Sequence, residues 1–530
     1  MSDNLTIFGN IYEGVNTLTF TDTNSQQKVY INTADADATA EDIVSGKIAY
    51  VQGNKIIGTG SSGSSTASAK DVNFRDYDGT ITNSYTKEEF ATLTAMPANP
   101  THEGLTAQGW NWSFANAKAY VAKYGRLEIG QMYITNDGKT RVYIHLEKGR
   151  TSPMLGCCPN GTVDVDWGDG TEHDTLTGTS TSTVQWTPNH AYAAPGDYVI
   201  KLTVSGSMGF YGNSLNNQYS GLLRYSSSGD GRNYAYRNVI QRIEIGSGVT
   251  SIGTYAFYNY HSLANITIPD SVTSISIYAF NYCYNLASIT IPDRVTSIGQ
   301  YAFSYCYSLA SVIIPDSVTS IGVNAFSYCY SLASVIIPDS ITSIDVNAFY
   351  ACNSLASITI PDSVTSIDNS ALGYCYSLAS ITIPDSVTSI GGSALSNCYS
   401  LASITIPDNV TSIGGSAFNS CYSLSIITIP DSVTSIGGSA FYTCRSLASV
   451  TIPDGVTSIG SKAFQNCYSV AEYHLAPTTP PTLSDTNAFA GIVSDCIIYV
   501  PYSEDHSILE AYKTATNWST YANRMQEEPV

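Results

Sequence analysis

Cysteine, histidine and carboxylate are the groups in this 530-residue chain that could do chemistry, and their spacing limits which chemistry. Nine of the twelve cysteines, Cys283 through Cys467, recur every 23 residues. Nine aspartates, Asp270 through Asp454, keep the same period, each directly after a proline. A thiol column could be a disulfide framework, a metal string or a packed apolar row. One cysteine per unit and an odd number in the column speak against the first, and the missing Cys-x-x-Cys spacing speaks against the second. The pattern predicts buried free thiols about 5 Å apart, near the inter-strand spacing, in a protein made in a reducing cytoplasm. Carboxylates at the same spacing repel, so they need a local reason. An Asp after Pro accepts from backbone N–H groups two residues on, with a cation-binding edge as the alternative. The histidines His102, His145, His173, His190, His261, His474 and His506 are never closer than 17 residues. No His-x-x-x-His, nucleophile elbow or phosphate loop occurs, so no catalytic residue, metal site or cofactor is expected. The chain is not expected to be an enzyme.

The unit that must position these columns is Leu-x-x-Ile-x-Ile-Pro-Asp. In Leu263, Ile266 and Ile268 the last pair faces inward around an outward Thr267, which makes a short strand. Pro269 ends it, lacking an N–H for the ladder. Val272 and Ile275 bury the return path, and Ala256-Phe257, repeated through Ala463-Phe464, fills the far turn, with Leu372 and Leu395 as replacements. A fixed period of this length marks a solenoid, in which each unit buries its apolar face only against its neighbours. The stack spans 239–475 and is roughly 50 Å long at about 4.8 Å per step. This unit resembles the BspA-like leucine-rich repeats. That resemblance implies a surface adhesin or secreted interaction protein, although the export signal such proteins carry is not found here.

Within the repeat the drifting phases are the candidates for specificity. Around the cysteine they hold Tyr282, Tyr284, Tyr305, Tyr307, Tyr328, Tyr330, Tyr374 and Tyr376, and earlier in the turn Tyr255, Tyr278 and Tyr301. They form either an exposed ligand ridge or a cover for the core edge. Tyrosine suits a ridge because it brings large contact area at low entropic cost.

The rest of the chain divides into smaller pieces. Residues 1–60 predict a small β module, with alternation at Leu18–Phe20 and Lys28–Ile31. The run Ala38-Thr39-Ala40-Glu41-Asp42-Ile43-Val44-Ser45-Gly46-Lys47 onward to Gly58-Thr59-Gly60 resembles a module of phage tail fibres and tail-associated proteins. Residues 61–69 are a Ser-rich linker. Residues 70–138 predict a small α+β module, with a helix opened by a Thr86/Glu89 capping box and another running from Ser113 to Gly125. Trp110 and Trp112 are expected to pack there. Residues 139–206 predict a β-sandwich. Trp167-Gly168-Asp169-Gly170, then His190-Ala191-Tyr192 and Gly196-Asp197-Tyr198, resemble the polycystic-kidney-disease-type (PKD) domain. Asp164, Asp166 and Asp169 lack calcium-loop spacing, so they are expected to form turns. Residues 207–238 form a polar loop, and 476–530 cap the stack with a strand Ile497–Pro501 and a helix from Ser507 through Trp518.

The fold class expected is mainly β and multidomain, ending in a capped leucine-rich-repeat solenoid. A net charge of −20 on a chain only 12% charged excludes nucleic acid and anionic membranes as partners. No apolar run is long enough to span a membrane, and no signal peptide opens the chain. The function expected is non-enzymatic adhesion: a phage tail fibre or tail-associated subunit contacting a host cell-surface protein or glycan. Residues 1–60 would hold it to other tail or particle proteins, placing it in the virion. The tail resemblance implies a homotrimer, without a heptad to support one. A bacterial surface or secreted adhesin is the alternative, and a structural spacer a further one.

Overall fold

The computed structural model divides the chain into two compact units, Met1–Ala67 and Ser68–Val530. It describes residues 70–148, 151–212, 222–225, 234–235 and 238–529, with the backbone of six strands in the first unit. There, Thr17–Thr21 pairs antiparallel with Gln27–Ile31, where alternation predicts strands. Ile48–Val51 joins the sheet in parallel and Asn54–Ile57 closes it. Asn4–Ile7 and Asn10–Glu13 form a separate antiparallel pair. Residues 38–47 of the tail-like motif and the linker 61–69 lie outside the described residues.

The repeats form a β-solenoid of about 12 turns. One parallel ladder runs through Ser288–Thr290, Ser311–Ile313, Ser334–Ile336, Ser357–Thr359 and Ser380–Thr382, with Ser paired to Ser at every step. A second runs on the return path from Ser343–Ile344 to Thr482–Leu483. Inside, the Leu, Ile, Val, Ala, Phe and Cys columns are buried in one continuous core. The Phe rings stack at 5.1–5.5 Å along the axis. The turn after each strand is closed by the backbone, as in Val272 N–H to the Pro269 carbonyl at 3.0 Å. The expected Asp side-chain bond is therefore not what closes it. The serine after the aspartate ties the rungs together instead: Ser271 Oγ donates to the Val249 carbonyl at 2.7 Å, and Ser363 Oγ to Ile341 at 2.6 Å.

Both ends of the core are closed. Residues 140–210 do not stand apart from the stack. Strand Thr140–Leu146 pairs with Gly196–Phe210 on one side and with the first solenoid strand, Ile240–Glu244, on the other. Ile240–Glu244 then pairs in parallel with Asn265–Thr267, so the edge a solenoid would expose is hydrogen-bonded. Of the three carboxylates expected to form turns, Asp166 and Asp169 do, whereas Asp164 lies within strand Met154–Asp166 and meets His173 at 3.0 Å. Asp166 accepts from Gly168 N–H at 2.9 Å, and Asp169 meets His190 at 2.9 Å. Gly168 has φ +77°, and a Cβ there would stand 2.4 Å from the Val199 carbonyl. At the far end, helix Ser507–Thr514 stops short of Trp518, which begins a 3-10 turn. Trp518 and Tyr512 plug the core, donating to the Pro481 and Pro477 carbonyls at 2.6 and 2.8 Å. The last strand is Met525–Glu527, beyond the one expected to be last at Ile497–Pro501, which ends at Val500.

The 70–138 module is a four-stranded sheet with two helices, both capped as predicted. Trp110 and Trp112 are buried in it. It packs on the solenoid's strand face. Tyr120 OH donates to the Ile337 carbonyl at 2.9 Å, Lys123 bridges Asp339 and Asp362 at 3.5 and 3.2 Å, and Arg126 donates to Ser357 and Thr359 at 2.8 and 2.9 Å. Ile336 joins the module's own core. Ile313 and Ile336 occupy the outward phase that is threonine in most rungs. Beyond the module the same phases, from Ser380 and Thr382 to Ser449 and Thr451, are exposed. Gly130 is the closest approach: a Cβ there would stand 2.7 Å from Thr290 Cγ2 and 2.9 Å from Ile313 Cδ1. Gly130→Leu is expected to cost about 1–3 kcal/mol by overpacking. Hydrogen exchange should rise around Ile313 and Ile336 but not in the last rungs; unchanged exchange there would refute the dock.

Candidate binding surface

Each solenoid turn contains two residues in the left-handed region, and the tyrosines cluster there. Tyr255, Tyr278 and Tyr301 share one such phase; Tyr282, Tyr305, Tyr328 and Tyr374 share the other, with φ of 55–62°. The conformation aims the N–H along the stack. Tyr278 N donates to the Gln300 carbonyl at 3.0 Å and Tyr305 N to Ser327 at 2.9 Å, each one rung on. Left-handed backbone costs a residue with a Cβ roughly 1–2 kcal/mol. Other rungs put Asn, Ser, Ala, Thr or Lys in these places, so the backbone does not call for tyrosine.

All eleven predicted tyrosines fall into three ring columns. In the first, Tyr255, Tyr278 and Tyr301 stack at 4.9 and 4.8 Å. In the second, Tyr282, Tyr305 and Tyr328 stack at 4.5 and 4.4 Å. That column then meets Ala351, and Tyr350 fills the break, 5.4 Å from Tyr328 and 5.1 Å from Tyr374. In the third, Tyr284, Tyr307 and Tyr330 stack at 4.6 and 4.9 Å, and Tyr376 resumes after Asn353. The ring faces are taken up by one another, which leaves the rims half-buried; Tyr330, 38% exposed, is the most open of the eleven.

Sequence reasoning missed His261 and Arg445 as members of the third column. His261 stacks on Tyr284 at 4.3 Å, and the Arg445 guanidinium lies 4.8 Å from the Tyr422 centroid. The available signal was phase: both sit a whole number of 23-residue steps from Tyr284. It is concealed by the change of residue type.

All twelve cysteines are buried and free, and the nine of the repeat lie inward of these columns. Each repeat thiol donates to the carbonyl of the Phe or Leu in the rung before, at 3.1 Å for Cys283 and 3.4 Å for Cys398. That carbonyl also accepts the N–H of its own rung's cysteine, as at Phe280 from Cys283 N (3.1 Å) and Cys306 Sγ (3.2 Å). The column is thus a row of small donors as well as packing. Burial pushes the thiols of Cys375, Cys421 and Cys467 up to about 12. Burial and then the neighbouring rings push the Tyr307 phenol up to about 12.

The geometry is that of a leucine-rich-repeat-type solenoid with aromatic ladders beside its cysteine turn. Residues 231–356 and 342–471 match the model of the BspA type leucine rich repeat region, in six copies. This stretch of the chain belongs to the BspA-type leucine-rich-repeat family. No curated protein matches the chain. Among solved structures, a leucine-rich repeat protein from Bacteroides ovatus is 26% identical, covers 60% of this chain and 98% of its own, and has a TM-score of 0.37. A T. pallidum leucine rich repeat protein is 30% identical over 32% of this chain and 82% of its own, with a TM-score of 0.30. A leucine rich cell surface protein from Faecalibacterium prausnitzii is 28% identical over 55% and 98%, with a TM-score of 0.33.

Two measurements check the electrostatics. A thiol reagent should find none of the twelve cysteines in the folded protein and all twelve once it is unfolded. Early reaction of even a few would contradict their burial. Groups whose acid form is favoured by folding stabilise the fold fully below their unfolded values, near 9 for Cys and 10 for Tyr. That contribution is lost as pH rises toward about 12, so the melting temperature should fall steadily across this window.

Proposed function

We propose that the protein is a non-enzymatic recognition molecule that attaches to a cell surface through its BspA-type solenoid, taking a surface protein or glycan as partner. The observation that carries this reading is the tyrosine at left-handed positions. Seven rings sit on left-handed backbone, which favours Gly or Asn over a bulky side chain, at phases where other rungs use Asn, Ser, Ala, Thr or Lys. Residues retained against local preference, half-exposed and rigid, suit a contact surface better than a structural filler. The buried columns make the scaffold, and the ring columns vary along it. Of the two placements, a cell surface draws on the repeats themselves, whereas a phage particle draws on a short N-terminal motif. The surface is the placement proposed.

The test is attachment of the full chain to candidate host cells, compared with a triple Tyr282→Asn, Tyr305→Asn, Tyr328→Asn variant. Asn accepts the left-handed backbone, so the fold is expected to persist by circular dichroism. Attachment is expected to weaken at least about ten-fold, or roughly 1.4 kcal/mol. Unchanged attachment would move the contact elsewhere. A wild-type chain that binds no cell and no glycan would leave the solenoid as a spacer.

A further inference from the structure

The third ring column has a vacancy. Read at steps of 23 residues, its members are His261, Tyr284, Tyr307, Tyr330, Asn353, Tyr376, Tyr399, Tyr422, Arg445 and Tyr468. Nine of the ten carry a planar π group wide enough to stack. Consecutive members lie 4.3–4.9 Å apart with planes within 16° of parallel, and where the ring gives way to Arg445 its guanidinium continues the stack over Tyr422. Asn353 is the exception. Its amide end lies against the backbone, 3.0 Å from the Tyr374 carbonyl and 3.2 Å from the Ala351 carbonyl, and donates to both once the amide is oriented with its nitrogen toward them. The amide therefore serves the turn and leaves the column.

Tyr330 and Tyr376 flank that rung in the column. Two steps of about 4.8 Å place Tyr330 and Tyr376 roughly 9–10 Å apart, the separation that one intervening ring fills in the other rungs. Tyr330 is the most exposed of the eleven tyrosines, as expected of a ring that has lost a stacking partner. The neighbouring break at Ala351 is handled differently, because Tyr350 swings in between Tyr328 and Tyr374. Among the described residues no ring does this for Asn353. An empty slot between two parallel aromatic faces gives up dispersion on both sides, and a flat guest regains it.

We infer that the gap between Tyr330 and Tyr376 is a binding slot for a single aromatic ring, supplied by a Tyr, Phe or Trp side chain of a partner polypeptide. The column itself sets the preference, since the occupied rungs on either side are filled by flat π groups at this spacing. This deepens the recognition reading above by naming the chemistry of one contact, and it rests on that reading for its biological role.

The test uses the full chain and 4-methylphenol, the tyrosine side-chain fragment, followed by saturation-transfer NMR. Methyl β-D-galactopyranoside serves as the sugar arm. The wild type should bind 4-methylphenol, and Asn353→Tyr, which fills the slot from within, should bind it at least about ten-fold more weakly. Asn353→Tyr should also melt no lower than the wild type, because it completes the ladder; this separates a filled slot from a damaged fold. Tyr330→Ala, which removes one wall, should lose binding as well. Equal binding by wild type and Asn353→Tyr would overturn the assignment. So would preferential binding of the galactoside in a manner that Asn353→Tyr abolishes. Because the readout is a defined small molecule, failure of the slot is distinct from failure of cell attachment.

Discussion

The solenoid depends on one constraint: no 23-residue turn can bury its own apolar face. A turn contributes one side of a core and must borrow the other from the next turn. Register is consequently strict. Each position pairs with its counterpart one repeat on, as Ser357 with Ser380 and Ile358 with Ile381, and the Phe rings stack at nearly constant spacing. The backbone obeys the same rule. Two residues per turn adopt left-handed angles so that their N–H groups reach the next rung, and a cysteine thiol reaches back to the previous one. The stack is cooperative along its axis and needs a plug at each end.

That axial rule also shapes the surface. Side chains one repeat apart are held roughly 4.8 Å apart whether or not they attract each other. For aspartates this spacing is a liability, relieved in part where Lys123 sits between Asp339 and Asp362. For flat rings it is close to the stacking distance. Tyrosine, histidine and arginine at the outer phase therefore form ladders with no further design, and a short residue such as Asn353 leaves a gap of defined width. The regularity of the scaffold converts single substitutions into surface features of predictable geometry.

The strand face records a division of the same kind. Its outward phases are Ile at Ile313 and Ile336, where the 70–138 module covers them, and Ser or Thr in most rungs that meet water, with Ile426, 65% exposed, as an exception. Half of that face is interior. The columns closest to the module are therefore shielded, and the ring ladders beside the cysteine turn and the later rungs of the strand face are the parts of the solenoid left open.

Much of this was legible in the sequence because the repeat is local. The period, strand, proline stop, inward columns, thiol burial and both module helices follow from which residues recur within a turn or sit at a helix end. The ring columns follow too, since phase alone assigns residues to a column. What the sequence left undecided are contacts between segments distant in the chain. Nothing near Arg126 announces Ser357 and Thr359 as its partners, and the two outward isoleucines become meaningful only once Gly130 is seen against Ile313. The joining of Thr140–Leu146 to Ile240–Glu244 is of that sort. Periodicity fixes neighbours one turn away because the backbone repeats there. Docking of a separate module depends on the shapes of two finished surfaces, and those exist only in the folded molecule.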